Sequence, residues 1–108
     1  MIWGISPNKY HARRTWSELT QRWYASKAEA NRGEELALLE RGGGISGLAY
    51  QVKYVLCKRP RITITIDFAY IENGARVHED TKGVLTRDTR TKLAWLEEKF
   101  GVKVILSR

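Results

Sequence analysis

The sequence has one cysteine and two histidines in 108 residues. Cys57 has no partner for an internal disulfide, which predicts a reducing compartment, the cytoplasm. With His11 and His78 it cannot build a closed structural zinc site. Nor does Cys57, in the strand-like run VKYVLCK, carry the surroundings of a nucleophile. No apolar run approaches the roughly 18 residues of a membrane span, and no signal peptide opens the chain. Repeats, low-complexity segments and a base-reading helix are absent too. Acidic residues are the scarcer charge, 12 against 19 Lys and Arg, for a net charge of +7. That excess suits a polyanionic partner, nucleic acid above all, or a solubilising surface. The length fits a single domain with a modest core.

Residues 1–25 form an arm of aromatics (Trp3, Tyr10, Trp16, Trp23, Tyr24) interleaved with Lys9, His11, Arg13 and Arg14. Such a mixture stacks on bases and contacts phosphates, or packs on the domain or a partner subunit. Its periodicity is unclear, with LTQRWY a possible short strand. Residues 26–108 read as the core. Ser26 opens a helix, SKAEANRGEELALLER, which Gly42 stops, with Ala25, Ala28, Leu36 and Leu39 on one face. Gly33 inside it is a flaw that lets something approach closely. After a glycine-rich loop, LAYQVKYVL reads as a strand, KRPR as a basic turn and ITITIDFAYI as the clearest strand. Asn73-Gly74 is a hairpin signal, with RVHEDTK returning. RDTRTKLAWLEEKF is a second helix, with Leu93, Leu96 and Phe100 near one stripe and Gly101 as its stop, and VKVILS a last strand. The order is αβββαβ.

A turn at Asn73-Gly74 sets Tyr70 against Val77, Phe68 against Glu79 and Asp67 against Asp80. Strand alternation then puts Asp67, Asp80 and Lys82 on one face and Glu79 on the other, with Ile66 and Phe68. Opposed carboxylates repel. Either one is protonated or a cation lies between them, and Mg²⁺ takes one or two carboxylates together with waters and substrate phosphates. The plain alternative is an exposed face where these charges are merely solvated.

An acid late in one strand, followed by acid-x-Lys on its hairpin partner, resembles the PD-(D/E)xK nuclease superfamily. Here the parts are Asp67 in TIDFAY and Asp80-Thr81-Lys82 in HEDTKG. The sequence is also similar, over residues 8–106, to a family of small phage proteins formerly of unknown function, through NKYHA, SKAEA, LAYQVKYVL, IDFAY and EDTKG. That family is grouped with Holliday-junction-resolvase-like endonucleases. The resemblance implies a restriction-endonuclease-like α/β fold, a mixed central sheet flanked by helices. It implies Mg²⁺- or Mn²⁺-dependent DNA cleavage, with branched DNA the expected substrate, in the host cytoplasm if phage-encoded. A two-fold homodimer would suit a junction's two equivalent strands. A nuclease-fold module that binds without cutting, and a flap or other structure-specific nuclease, are the alternatives. Carried onto this chain, the catalytic residues are Glu29, Asp67, Asp80 and Lys82, the three acids holding metal.

Rival readings stand beside these assignments. Glu29 completes a Ser-x-x-Glu capping box as well, and Glu34 is the reserve acid. His78 is an auxiliary base or a packed strand histidine, and Gln51 a candidate for orienting substrate. Lys92 reaches a phosphate or lies on a solvated helix face. Lys9, Arg13, Arg14, Lys58, Arg59, Arg61, Arg87 and Arg90 are candidate DNA-backbone contacts, which set affinity without reading sequence.

Overall fold

The computed structural model describes residues 13–82 and 85–107. Lys9, Trp3, Tyr10 and His11 lie outside the described residues. The architecture is α/β: a mixed four-stranded sheet flanked by two helices, compatible with an αβββαβ core. Its elements are β1 (Thr15–Ser17), β2 (Arg22–Tyr24), α1 (Lys27–Arg41), β3 (Ser46–Cys57), β4 (Ile62–Glu72), β5 (Ala75–Thr81), α2 (Arg87–Phe100) and β6 (Val104–Ser107). The large sheet runs β3-β4-β5-β6, with β1 and β2 forming a separate small hairpin. Among the described residues no helix is long and apolar enough to cross a membrane.

Local chemistry accounts for the boundaries. The Ser26 hydroxyl caps α1 by accepting from the Glu29 amide at 3.1 Å, satisfying one of the first-turn donors that has no helical acceptor. Thr86 caps α2 in the same way through the Thr89 amide at 3.2 Å, and Gly101, at φ 69°, ends it in the left-handed conformation. Asn73 and Gly74 both adopt positive φ, 53° and 77°, between the paired residues Glu72 and Ala75. That is the tight two-residue reversal the dipeptide predicts, because its twist matches that of the flanking strands. β5 and β6 are parallel, with α2 as the crossover.

A hydrophobic cluster lies on each side of the sheet. One, on the α1 side, gathers Tyr24, Ala30, Leu36, Ile45, Phe68 and Tyr70. The other, on the α2 side, gathers Leu56, Ile64, Ile66 and Leu96. Each large apolar side chain fully withdrawn from water contributes about 1.5–3 kcal/mol. The inward face of α1 is not the one predicted. Ala25, Ala28 and Leu39 are exposed, and Glu29, Ala30, Gly33 and Leu36 are buried. The inward stripe thus includes an acid and a glycine, which an apolar count passes over. Gly33 has a steric reason: a Cβ there would fall 2.5 Å from Tyr24 Oη, so glycine gives the buried Tyr24 ring its place against the helix. In the β1–β2 hairpin, Arg22–Tyr24 is the short strand anticipated within LTQRWY. The Ser17 hydroxyl ties the hairpin down by donating to Glu34 Oε2 at 2.6 Å.

Alternation fails at one level of the sheet. Ile66 and Phe68, two residues apart, belong to opposite clusters, as do Tyr54 and Tyr50. Pairing of β3 with β4 skips Gln51 and Asp67, between Tyr50–Phe68 and Val52–Ile66, and Gln51 has φ 52°. Ile66 therefore does not share a face with Glu79, contrary to the alternation expected. Both strands rotate at the level of Asp67, and the ladder is open there.

Candidate active site

The hairpin register is the one predicted from Asn73-Gly74. β4 and β5 pair regularly from Glu72–Ala75 to Phe68–Glu79, and then the strands part. The gap is bridged by two carboxylates instead of carbonyls. The Asp67 amide donates to Asp80 Oδ1 at 2.8 Å, and the Thr81 amide donates to Asp67 Oδ2 at 2.9 Å. Asp67 and Asp80 thus meet because the strands separate, not because alternation puts them on one face. Lys82 Nζ reaches Asp80 Oδ2 at 2.8 Å.

From α1, Glu29 faces the same gap. It is buried, 5 % exposed, and accepts from Gln51 Nε2 at 3.3 Å. Burial raises its pKa, and Asp80 raises it further, against the Ala25 amide and the cations Lys82 and Arg22, which lower it. The Ser26 hydroxyl accepts from the Glu29 amide, but the reciprocal bond of the capping box, from the Ser26 amide to the Glu29 carboxylate, is not made; that carboxylate takes Gln51 and faces the acids instead. Asp67 is pushed up to about 7, first by burial and then by Asp80 and Glu29, against the Thr81 amide that holds it down. Withdrawal from water is the main cause, and the neighbouring acids add to it.

Glu79 and His78, which flank this cluster in sequence, do different work. Glu79 is 2 % exposed and turned toward α1. It accepts from Arg32 Nε at 2.6 Å, from Arg32 Nη2 at 3.0 Å and from Tyr70 Oη at 2.8 Å. Burial pushes its pKa up, but these donors outweigh burial and hold it below the usual range. His78 packs on the α2 side, its Nε2 2.7 Å from Tyr54 Oη, and burial lowers its pKa. It is a packed neutral histidine. Glu34 is spent on Ser17, which leaves Glu29 as the helix acid beside the gap.

Beside the acids lies a cleft of about 440 Å³, lined among others by Arg14, Arg22, Trp23, Tyr50, Glu29 and Asp67. The Arg22 guanidinium lies 3.7 Å from the centre of the Tyr50 ring, and that of Arg14 4.9 Å from the Trp23 ring. Sequence reasoning missed Arg22, Tyr50 and Arg32. The first two are brought in by non-local packing. Arg32 could have been sought, because a glutamate turned inward toward a helix requires a cation on that helix. Of the predicted backbone contacts, Arg14 lines the cleft. Arg13, Lys58, Arg59, Arg61, Arg87 and Arg90 are exposed. Lys92 pairs with Asp88 at 3.3 Å and borders, with Arg61 and Trp95, a separate depression of about 500 Å³.

The donor chemistry suits a hard divalent cation. Asp67 and Asp80 supply neighbouring carboxylates, with Glu29 adjoining, and Mg²⁺ commonly takes one or two protein carboxylates with waters. Among the described residues no group of three or more His, Cys, Asp and Glu side chains is arranged to hold a metal ion, so the acids do not form a closed three-ligand cage.

Fold and site together define a small α/β protein with a carboxylate cluster and a lysine at a break in its sheet, beside a cleft carrying arginines and aromatics. Residues 7–106 match the model of a family described as a protein of unknown function, DUF1064, and the chain belongs to that family. No curated protein and no solved structure matches it.

Proposed function

We propose that the chain is a metal-dependent DNA endonuclease of the PD-(D/E)xK type, acting on branched DNA as a homodimer. The observation that carries this reading is the gap at Asp67 and Asp80. A sheet selected for stability alone closes its ladder, whereas this one holds two carboxylates together, with Glu29 and Lys82 beside them. Asp67, Asp80 and Glu29 would hold Mg²⁺ or Mn²⁺. Such an ion supplies an activated water and neutralises charge on the phosphate and the leaving oxygen. Lys82 stabilises charge as it grows on the phosphate oxygens, the only cationic group in ion-pair contact with the cluster among the described residues. Arg14 and Arg22 hold the DNA backbone at the cleft. Arg13, Lys58, Arg59, Arg61, Arg87, Arg90 and Lys92 add contacts that set affinity. Water adds to phosphorus and the 3′ oxygen leaves, giving the 5′-phosphate and 3′-hydroxyl ends that the resemblance implies. A two-fold dimer suits a junction with two equivalent strands to cut.

One observation favours a second reading, a binding module of the same fold that does not cut. Lys82 already occupies Asp80 Oδ2, an oxygen a metal would use. The deciding experiment is incubation of a synthetic four-way junction with Mg²⁺ or Mn²⁺, with EDTA as control and linear, three-way and flap DNA alongside. The expected outcome is metal-dependent cutting of the junction. Asp67→Asn and Asp80→Asn should each slow it by roughly a thousandfold while retaining binding. A wild-type protein that binds the junction and never cuts it establishes the binding module instead.

A further inference from the structure

The β1–β2 hairpin is built inside out. Thr15 pairs with Tyr24, Trp16 with Trp23 and Ser17 with Arg22. Its inward residues include Ser17, 1 % exposed, and Tyr24, 3 % exposed, whereas Trp16 and Trp23 remain 39 % and 53 % exposed. Burial alone would select the reverse, because indole is the largest apolar group available and a serine hydroxyl must find a buried partner, here Glu34. The two indoles meet edge to face with centroids 5.4 Å apart. Trp16 Nε1 donates to Glu18 Oε1 at 3.2 Å. Trp23 continues into the cleft that also holds Arg14, Arg22, Glu29 and Asp67.

We infer that Trp16 and Trp23 form a stacking platform for an unpaired nucleotide of the DNA strand, with Arg14 and Arg22 on its phosphates. This deepens the endonuclease reading and rests on it for the identity of the strand. Charge complementarity selects the occupant: the Arg14 guanidinium lies 4.9 Å from the Trp23 ring and Arg22, stacked on Tyr50, lines the same cleft, which suits a base attached to a polyanion and not an apolar protein surface. The faces of bases within an intact duplex are covered by their neighbours. Only a base freed at a branch, gap or end can lie on an indole, so the platform supplies a preference for disrupted DNA without reading sequence. It lies on the same cleft as Asp67, so a nucleotide held there brings its adjoining phosphate toward the acids.

The test measures binding without cleavage. A short fluorescein-labelled oligothymidylate and a blunt duplex of matching length are titrated with the full chain in EDTA. The single strand is expected to bind tighter and to quench tryptophan fluorescence. Trp23→Ala should weaken single-strand binding roughly tenfold or more and Trp16→Ala by less, with duplex binding little changed. Trp23→Phe should remain within about threefold of the wild type, since a smaller ring still stacks. Unchanged single-strand affinity in Trp23→Ala overturns the proposal, as does an equal loss for single strand and duplex. A variant that instead changes oligomeric mass by light scattering, with oligonucleotide affinity intact, makes the pair a subunit contact and overturns it too. Because no step depends on metal, loss of binding in Trp23→Ala upholds the platform even if the wild type cuts no junction.

Discussion

Glu79 and Asp80 are neighbours on β5, both nearly sealed from solvent at 2 % and 1 % exposure, and they are treated in opposite ways. Glu79 meets a two-pronged guanidinium and a phenol, and its carboxyl is held low once those donors have outweighed burial. Arg32 is correspondingly raised by the same pair, and Tyr70 is pushed up to about 12, by burial first and by Glu79 next. Asp80 meets another carboxylate across a gap and one lysine, with a third acid close by. A chain able to neutralise one buried carboxylate so completely has left the adjacent cluster with three acids to one ion-paired lysine. The contrast separates a structural ion pair, complete in itself, from a cluster in which the acids outnumber the lysine paired with them.

The closed half of this comparison breaks most dramatically. Arg32→Met removes the cation and leaves Glu79 buried without it, which should cost about 3–5 kcal/mol in denaturant unfolding. Adding Glu79→Gln to Arg32→Met should recover much of that loss, since the uncompensated charge is gone and Tyr70 can still donate. A cost below about 1 kcal/mol for Arg32→Met would put the pair among surface ion pairs and remove the contrast with Asp80.

Much of the open half was legible in the sequence, for a local reason. Asn73-Gly74 permits two consecutive positive-φ residues, which fixes a two-residue turn and with it the register carrying Asp67 to Asp80. Helix caps at Ser26 and Gly101 are local in the same sense. What could not be read was the loss of alternation. ITITIDFAY alternates without a flaw through Asp67, and the rotation there is set by Gln51 on the neighbouring strand, a non-glycine residue at positive φ. Arg32 looked like any solvated helix residue, since nothing near it in sequence calls for an anion. Trp16 and Trp23 lie in three-residue strands, too short for periodicity to speak, and only their cross-strand pairing makes them a surface. Glu29 was readable as a capping-box acid or as a cluster acid, and three dimensions were needed to see that its carboxylate turns to Gln51 and the acids while only its amide meets Ser26.

The open half can be relieved without a metal. The folded pKa of Asp67, about 7, lies above its ordinary value of 3.8. The folded state therefore binds this proton more tightly than the unfolded chain does, and ionising Asp67 costs stability. The cost is absent below about pH 4, grows as pH rises toward 7 and is constant above that. Asp67→Asn cannot ionise and keeps an oxygen to accept from the Thr81 amide. It should be more stable than the wild type by about 2 kcal/mol at pH 8, after allowance for the partial exposure of the group, and by nearly nothing at pH 4. Unfolding curves at the two pH values check this. An Asn variant less stable than the wild type at pH 8 would mean that Asp67 is already neutralised within the protein.

The smallest effect is the most direct measure of what the cluster lacks. If a divalent ion supplies the missing charge, Mg²⁺ at about ten times its dissociation constant should stabilise the wild type by about 1.4 kcal/mol, raising Tm by roughly 5–10 °C for a domain of this size. NaCl at matched ionic strength should not do so, because screening acts weakly on charges within the protein. The shift should be larger at pH 8 than at pH 5.5, since Asp67 must lose its proton before it can ligate, and it should shrink in Asp67→Asn. Arg32→Met offers the matching control on the other side of the comparison. It lowers the starting Tm yet should retain the Mg²⁺ increment, because Glu79 is turned toward α1 and away from the gap. An increment lost in Arg32→Met and kept in Asp67→Asn would move the ion to Glu79 and reverse the assignment of the two carboxylates.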